Sequence, residues 1–183
     1  MMRFRFAWLI YVAFTGLSFA KADAQPFRNL TVDDFQGVPD THNGENVAYT
    51  SCNIEFSYAA NKEKNYYRLD FNILVVMNHE KSWLDRNKAP SAGYLAEILK
   101  HEQGHYNMAY LEQQELLRTL SHTVFYGDYQ KVANNIFNRI DAKYQQLNRD
   151  YDDDTQHMIN RPQQHGWDMY FKKALGSDYM ARD

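Results

Sequence analysis

The chain has 183 residues, of which 44% are hydrophobic and 23% are charged. It can bury one modest core and is too short for a second independent domain. Its 28 aromatic residues (14 Tyr, 11 Phe and 3 Trp) argue against disorder, and its net charge of −3 argues against a nucleic-acid partner. Because Cys52 is the only cysteine, an intramolecular disulfide is excluded.

The first residues predict a signal peptide over residues 1–24. Two arginines precede an apolar stretch from Phe6 to Phe19, and small residues at positions 22 and 24 favour cleavage before Gln25. The stretch is shorter than the roughly 20 residues of a spanning helix, so no membrane anchor is expected after cleavage. We therefore expect an exported protein, periplasmic or extracellular, with one domain at 25–183. Cleavage removes three basic residues and one acidic residue, which leaves 17 basic and 22 acidic residues and a net charge of −5.

The first half of this domain has the composition of β-structure. Residues 27–45 contain Gly37, Pro39 and Asn43-Gly44, and we expect an opening strand followed by turns. Residues 47–58 are strand-like, but the apolar parity changes near Ser51, which predicts a bulge there.

A β-hairpin is the strongest prediction in this half of the chain. Apolar and polar residues alternate from Tyr67 to Met77, as in a half-buried strand. We expect this strand to pair with residues 52–58. Its end, "ILVVM", is apolar on both faces, so another element should cover it.

Helical spacing dominates the second half. Apolar residues and histidines recur every three or four positions from Tyr94 to Leu116, with Ser91 as the N-cap. A second helix is predicted with Asp128 as N-cap, and Pro162 suits the first turn of a short terminal helix. The buried stripe of the second helix consists of Val132, Ile136, Phe137, Ile140, Tyr144, Leu147 and Tyr151. Strands followed by helices predict an α+β fold.

The segment "LKHEQGHYNMAY" contains His-Glu-x-x-His on the first helix. His101 and His105 lie one turn apart, with about 5–6 Å between their Cβ atoms, so both can bind one zinc ion. Glu102 cannot easily join them as a ligand, but it can act as general base on a zinc-bound water. The alternative is a pair of structural histidines in the core, which would leave buried polar atoms to satisfy.

A catalytic zinc site needs a third protein ligand. Leu111 stands where the compact three-histidine pattern requires its third histidine, so that pattern is excluded. If the second helix continued straight beyond Tyr151, Asp154 would face inward and His157 would lie about 120° away. Besides His157, the candidate ligands are Asp152, Asp154, Glu112 and His165.

The chain resembles a family of exported bacterial domains of unknown function that are described as predicted zinc-dependent proteases. The resemblance covers almost the whole mature chain. It includes "LTVDDFQGVP" with Val32 in place of a tryptophan, the pair Ser82-Trp83, the segment "LKHEQGHYNMA", "YDDDTQHM" with Met158 in place of a glycine, and Gln164 with Trp167. The resemblance implies a zincin-like fold and makes His157 the favoured third ligand.

The predicted function is hydrolysis of peptide bonds in a peptide or protein substrate. Asp152 is either a ligand or a group that orients a ligand imidazole, and Tyr151 and His165 are candidates to stabilise an oxyanion. We also hypothesise that the "ILVVM" strand borders the substrate cleft. The alternative function is a non-catalytic zinc-binding or partner-binding module of the cell envelope.

Overall fold

The computed structural model describes residues 26–40 and 46–176. The predicted signal peptide and the Asn43-Gly44 turn lie outside the described residues. The described part is an α+β fold with two small antiparallel sheets followed by three helices. Its elements are β1 (Ala48–Tyr49), β2 (Cys52–Lys62), β3 (Tyr67–Met77), β4 (Trp83–Leu84), α1 (Ala92–Ser121), α2 (Tyr129–Thr155) and α3 (Arg161–Leu175).

The predicted hairpin is confirmed and is longer than expected. β2 pairs with β3 in antiparallel register from Cys52 opposite Met77 to Lys62 opposite Tyr67. Residues 59–62 extend β2 beyond the predicted pairing of residues 52–58, and the reversal occupies residues 63–66.

The predicted opening strand is wrong for the part of it that the structure describes. Residues 26–40 form no strand, and a short 3-10 helix occupies Val32–Asp34. The carboxylate of Asp34 accepts hydrogen bonds from the backbone N–H of Thr31 at 2.7 Å and from Arg28 at 2.7 Å. These local bonds satisfy the backbone without a strand partner, as capping side chains do.

The predicted bulge near Ser51 is instead a break between two sheets. β1 pairs with β4, whereas β2 pairs with β3. The N–H of Ser51 donates to the hydroxyl of Ser82 at 2.9 Å, so a side chain replaces the strand partner at the break. The change of parity does indicate an irregularity near Ser51, but its cause is an interruption between β1 and β2. This interruption turns Thr50 inward, where it is buried.

Helix α1 covers one face of the hairpin. Its N-cap is Ser91 as predicted, with the hydroxyl accepting from the N–H of Tyr94. Ile73, Val75 and Met77 of β3 are buried in the main core, which explains the apolar end of that strand. Alternate residues of "ILVVM", at positions 74 and 76, are only half-buried.

Helix α2 packs antiparallel to α1. His101 contacts Asp152, and four residues later His105 contacts Asn148, four residues earlier on α2. The predicted stripe of α2 lies in the core, and its most buried members are Ile140, Tyr144 and Tyr151. Helix α3 has its proline in the first turn, as expected. None of the helices in the described part of the chain is long and apolar enough to cross a membrane.

Candidate metal centre

The two histidines of the pentapeptide face one carboxylate of α2. His101 is 3% exposed, and its ring lies 5.0 Å from that of His105, almost perpendicular to it. Nε2 of His101 lies 3.2 Å from Oδ1 of Asp152, and Nε2 of His105 lies 3.1 Å from the same oxygen. One turn of helix therefore aims both imidazoles at a common point, as the spacing predicted.

A sharp chain reversal adds a third imidazole. Helix α2 ends at Thr155, and Gln156, His157 and Met158 have φ values of 48°, 51° and 78°. Three consecutive left-handed residues turn the chain, which brings Nδ1 of His157 to 3.5 Å from Oδ1 of Asp152. The helix does continue beyond Tyr151 as far as Thr155, yet Asp154 is exposed there, so the inward orientation expected for Asp154 is wrong. Left-handed φ favours glycine, the residue that the resemblance led us to expect at position 158.

This group of side chains could hold a metal ion. Ligand atoms of His101, Asp152 and His157 all lie within 4.8 Å of one another. His105 is not part of that group, but its Nε2 contacts the same carboxylate oxygen. We call these four residues the histidine cluster.

Neighbouring amides determine which ring nitrogen of His101 and of His105 faces the other residues of the histidine cluster. Nδ1 of His101 lies 3.1 Å from Oε1 of Gln164, and Nδ1 of His105 lies 2.8 Å from Oδ1 of Asn148. An amide oxygen only accepts hydrogen bonds, so each Nδ1 carries the proton. Each Nε2 is then the nitrogen presented to Asp152, and this arrangement is typical of metal-binding histidines.

The electrostatics of the cluster favour positive charge. Burial lowers the pKa of His105, but hydrogen bonding to Asp152 and the charge of Glu102 outweigh it and raise the pKa to about 9. Burial raises the pKa of Asp152, and the bonds to both imidazoles overcome it and hold the pKa well below its ordinary value.

Glu102 faces a cavity next to the cluster. It is 4% exposed, and its Oε2 accepts a hydrogen bond from the hydroxyl of Thr50 at 2.6 Å. The cavity has a volume of about 750 Å³ and is lined by Glu102, His101, His105 and residues of α2. Its other wall is β1 and the first residues of β2, so our hypothesis that β3, the "ILVVM" strand, borders the cleft is wrong.

The two middle residues of His-Glu-Gln-Gly-His have structural roles. The side chain of Gln103 accepts from the N–H of Leu30 at 2.6 Å and donates to the carbonyl of Arg28 at 3.3 Å, which ties the N-terminal segment to α1. A Cβ on Gly104 would lie 2.4 Å from the hydroxyl oxygen of Tyr151. Glycine is therefore required there because the ring of Tyr151 occupies the space beside α1.

Tyr151 packs against His101 of the histidine cluster. Its ring stacks on that of His101 at 4.6 Å and 13°. Its hydroxyl donates to the carbonyl of His101 at 3.0 Å and accepts from Gln164 at 2.8 Å. Tyr151 is fully buried and does not line the cavity, so the structure gives it a positioning role and does not support the predicted oxyanion role.

Three other predicted candidates lie away from the cluster. Asp154 is exposed and accepts from the indole N–H of Trp167 at 3.0 Å. His165 is exposed on α3 and does not line the cavity. Glu112 lines the cavity, but it lies two helical turns beyond His105.

Residues 29–158 match the model of a family described as "Bacterial protein of unknown function (DUF922)". The chain belongs to this family. The matched range contains the whole histidine cluster and ends one residue after His157. The comparison with curated proteins and the comparison with solved structures gave no match.

Sequence reasoning missed three residues that organise the site. Thr50 gave no signal, because nothing local shows that a strand break will direct it to Glu102. Asn148 lies one turn before Asp152 on the same face of α2, and this spacing was available in the sequence. Gln164 was visible only as a position in the family pattern.

Proposed function

We propose that the protein is an exported zinc-dependent peptidase with a zincin-like site. The observation that carries the proposal is the convergence of two helical imidazoles and Glu102 at the wall of one open cavity. His101, His105 and His157 are the proposed ligands.

The donor set fits zinc. Imidazole nitrogen and carboxylate oxygen are both ordinary zinc ligands, and the amides that accept from Nδ1 of His101 and His105 leave each Nε2 to face the metal. When bound, zinc would supply Lewis-acid activation of a water molecule and a peptide carbonyl.

The chain itself supplies the proton transfer. Glu102 would accept the proton of the attacking water and pass it to the leaving amine. The hydroxyl of Thr50 donates to Oε2 of Glu102, which leaves Oε1 available for the water. Because the same hydrogen bond fixes the side chain against Thr50, the residue after β1, Glu102 keeps its position during the exchange of protons.

A second candidate is a non-catalytic zinc-binding module of the cell envelope. Oδ1 of Asp152 contacts His101, His105 and His157 within 3.5 Å. Four protein ligands would close the site against substrate, as in structural zinc sites. Under the catalytic proposal, Gln164 and Asn148 orient the imidazoles through Nδ1, Asp152 does not bind the zinc, and the fourth position stays open for water.

Zinc content and peptide cleavage, measured together, separate the two candidates. The Glu102→Gln variant should retain one zinc per chain and lose hydrolysis of a peptide library by a factor on the order of 10² to 10⁴, the contribution of a general base. Glu97→Gln is the matched control, since Glu97 lies on the same helix and pairs with Arg161 at the surface. Stoichiometric zinc without any cleavage by the unmodified protein would favour the module and refute the peptidase.

A further inference from the structure

We propose that the cavity contains a second binding site, formed by Glu112 and Asp141, that accepts a lysine or arginine side chain of the substrate. We call this pair the acidic site. The inference rests on the proposed peptidase function and names a substrate class for it.

Glu112 is a buried carboxyl group that lacks a partner. It is 7% exposed and lines the cavity, and its Oε1 is buried without any hydrogen bond among the described residues. Buried polar atoms are nearly always paired, because an unpaired one loses its hydration without compensation. A partner from outside the chain would satisfy this atom.

Asp141 on α2 completes the site. It also lines the cavity, and its charge acts on Glu112. Its Oδ2 accepts from Gln145 at 2.7 Å, and no ion pair to either carboxylate is found in the described part of the chain. Glu115, one turn away from Glu112, differs because Lys143 and the hydroxyl of Tyr144 already bind it. The acidic site is therefore the part of this helix pair that still needs a cation.

The charges around the cavity agree with a cationic guest. Among the described residues, four carboxyl groups line the cavity (Glu102, Glu112, Asp141 and Asp152), and Arg149 is the one lining arginine or lysine. The histidines that line the cavity contact Asp152. Arg149 is exposed and bonds to Gln146. Burial, followed by the charges of Asp141 and Glu115, raises the pKa of Glu112 to about 8. A bound cation would offset these effects by favouring the charged form of the carboxyl group.

The position of the acidic site suits a long side chain. Glu112 follows His105 by seven residues, which is about 10 Å along α1. An extended peptide advances about 3.3 Å per residue, so a residue one or two positions from the scissile bond can direct its side chain there. Lysine and arginine have the long stems and charged ends that this distance requires.

Paired peptides test the proposal. The unmodified protein should cleave peptides with lysine at one fixed subsite on the order of 10- to 100-fold faster, in kcat/KM, than the same peptides with norleucine, which has a similar length and no charge. Glu112→Gln and Asp141→Asn should reduce this ratio towards one by slowing cleavage of the lysine peptide. Glu115→Gln is the matched control and should keep the preference.

Each outcome separates this proposal from the proposed function. Glu102-dependent cleavage with no preference for lysine or arginine would overturn the acidic site and leave the peptidase intact. If no peptide is cleaved, fluorescence anisotropy of the same labelled peptides decides. Tighter binding of the lysine peptide that Glu112→Gln abolishes would support the acidic site without catalysis, and equal binding would overturn it. Stabilisation by calcium or magnesium that depends on Glu112, without any peptide preference, would also overturn it.

Discussion

Replacement of Gly104 by alanine should reverse the usual effect of that substitution in a helix. An alanine in a helix interior is ordinarily about 1 kcal/mol more favourable than a glycine. At this position the new Cβ would lie 2.4 Å from Oη, 2.5 Å from Cζ and 2.7 Å from Cε1 of Tyr151. Tyr151 is fully buried between α1 and α3, so it cannot simply rotate into solvent.

The expected magnitude follows from opposing contributions. Overpacking of a core costs about 1–3 kcal/mol, and each disturbed hydrogen bond of the Tyr151 hydroxyl adds about 1 kcal/mol. After the helical gain is subtracted, Gly104→Ala should lower the free energy of unfolding by about 1–3 kcal/mol. For a domain of this size, each kcal/mol corresponds to about 2–4 °C in Tm.

Urea denaturation and zinc titration provide the assay. Gly166→Ala is the matched control, because Gly166 lies inside α3 and its added Cβ meets nothing within 4 Å, so it should stabilise by about 0.5–1 kcal/mol. Gly104→Ala should also weaken zinc binding, since Tyr151 stacks on His101. In a Tyr151→Leu background the cost of Gly104→Ala should shrink. Equal stabilisation by both glycine replacements would refute the packing argument.

Three further predictions concern other parts of the molecule. Ser82→Ala should lower the free energy of unfolding by about 1–3 kcal/mol in urea denaturation, because the N–H of Ser51 loses its acceptor; an effect no larger than that of exposed Ser57→Ala would contradict this. The pKa of Glu112 is about 8 in the folded protein, against an ordinary value of 4.5. Between these pH values the folded protein retains a proton that the unfolded chain releases. Its stability should therefore fall as pH rises from 4.5 to 8, by up to a few kcal/mol. Urea denaturation across that pH range should show a smaller fall in the free energy of unfolding for Glu112→Gln than for the unmodified protein. An equal pH dependence of the two proteins would exclude the raised pKa of Glu112. Chelation with EDTA should lower the Tm of the zinc-loaded protein. The free energy of unfolding should fall by about 2.7 kcal/mol if the free zinc concentration before chelation was 100 times Kd. His105→Ala should be much less sensitive to EDTA, and an undiminished response would place the metal elsewhere.

The sequence alone was sufficient for the features that depend on local periodicity. Alternation along Tyr67–Met77 predicted the hairpin, and three- and four-residue spacing predicted α1 and α2. The pairing of His101 with His105 on one face follows from helical geometry and needs no tertiary contact. The opening strand failed because side-chain bonds around Asp34 competed with strand pairing, and periodicity does not register such bonds.

Tertiary structure decided which distant side chains meet the two histidines. The left-handed turn after Thr155 brings His157 into the cluster, and an uninterrupted helix would have directed it elsewhere. The break at Ser51 turns Thr50 towards Glu102, and the packing of α2 on α1 places Asp152 between the imidazoles. The side-chain pattern of a helix or strand repeats within its own segment, so the sequence determines which residues share a face. The partners of those faces depend on how loops close and helices pack over separations of about 50 residues, and only the folded chain contains that information.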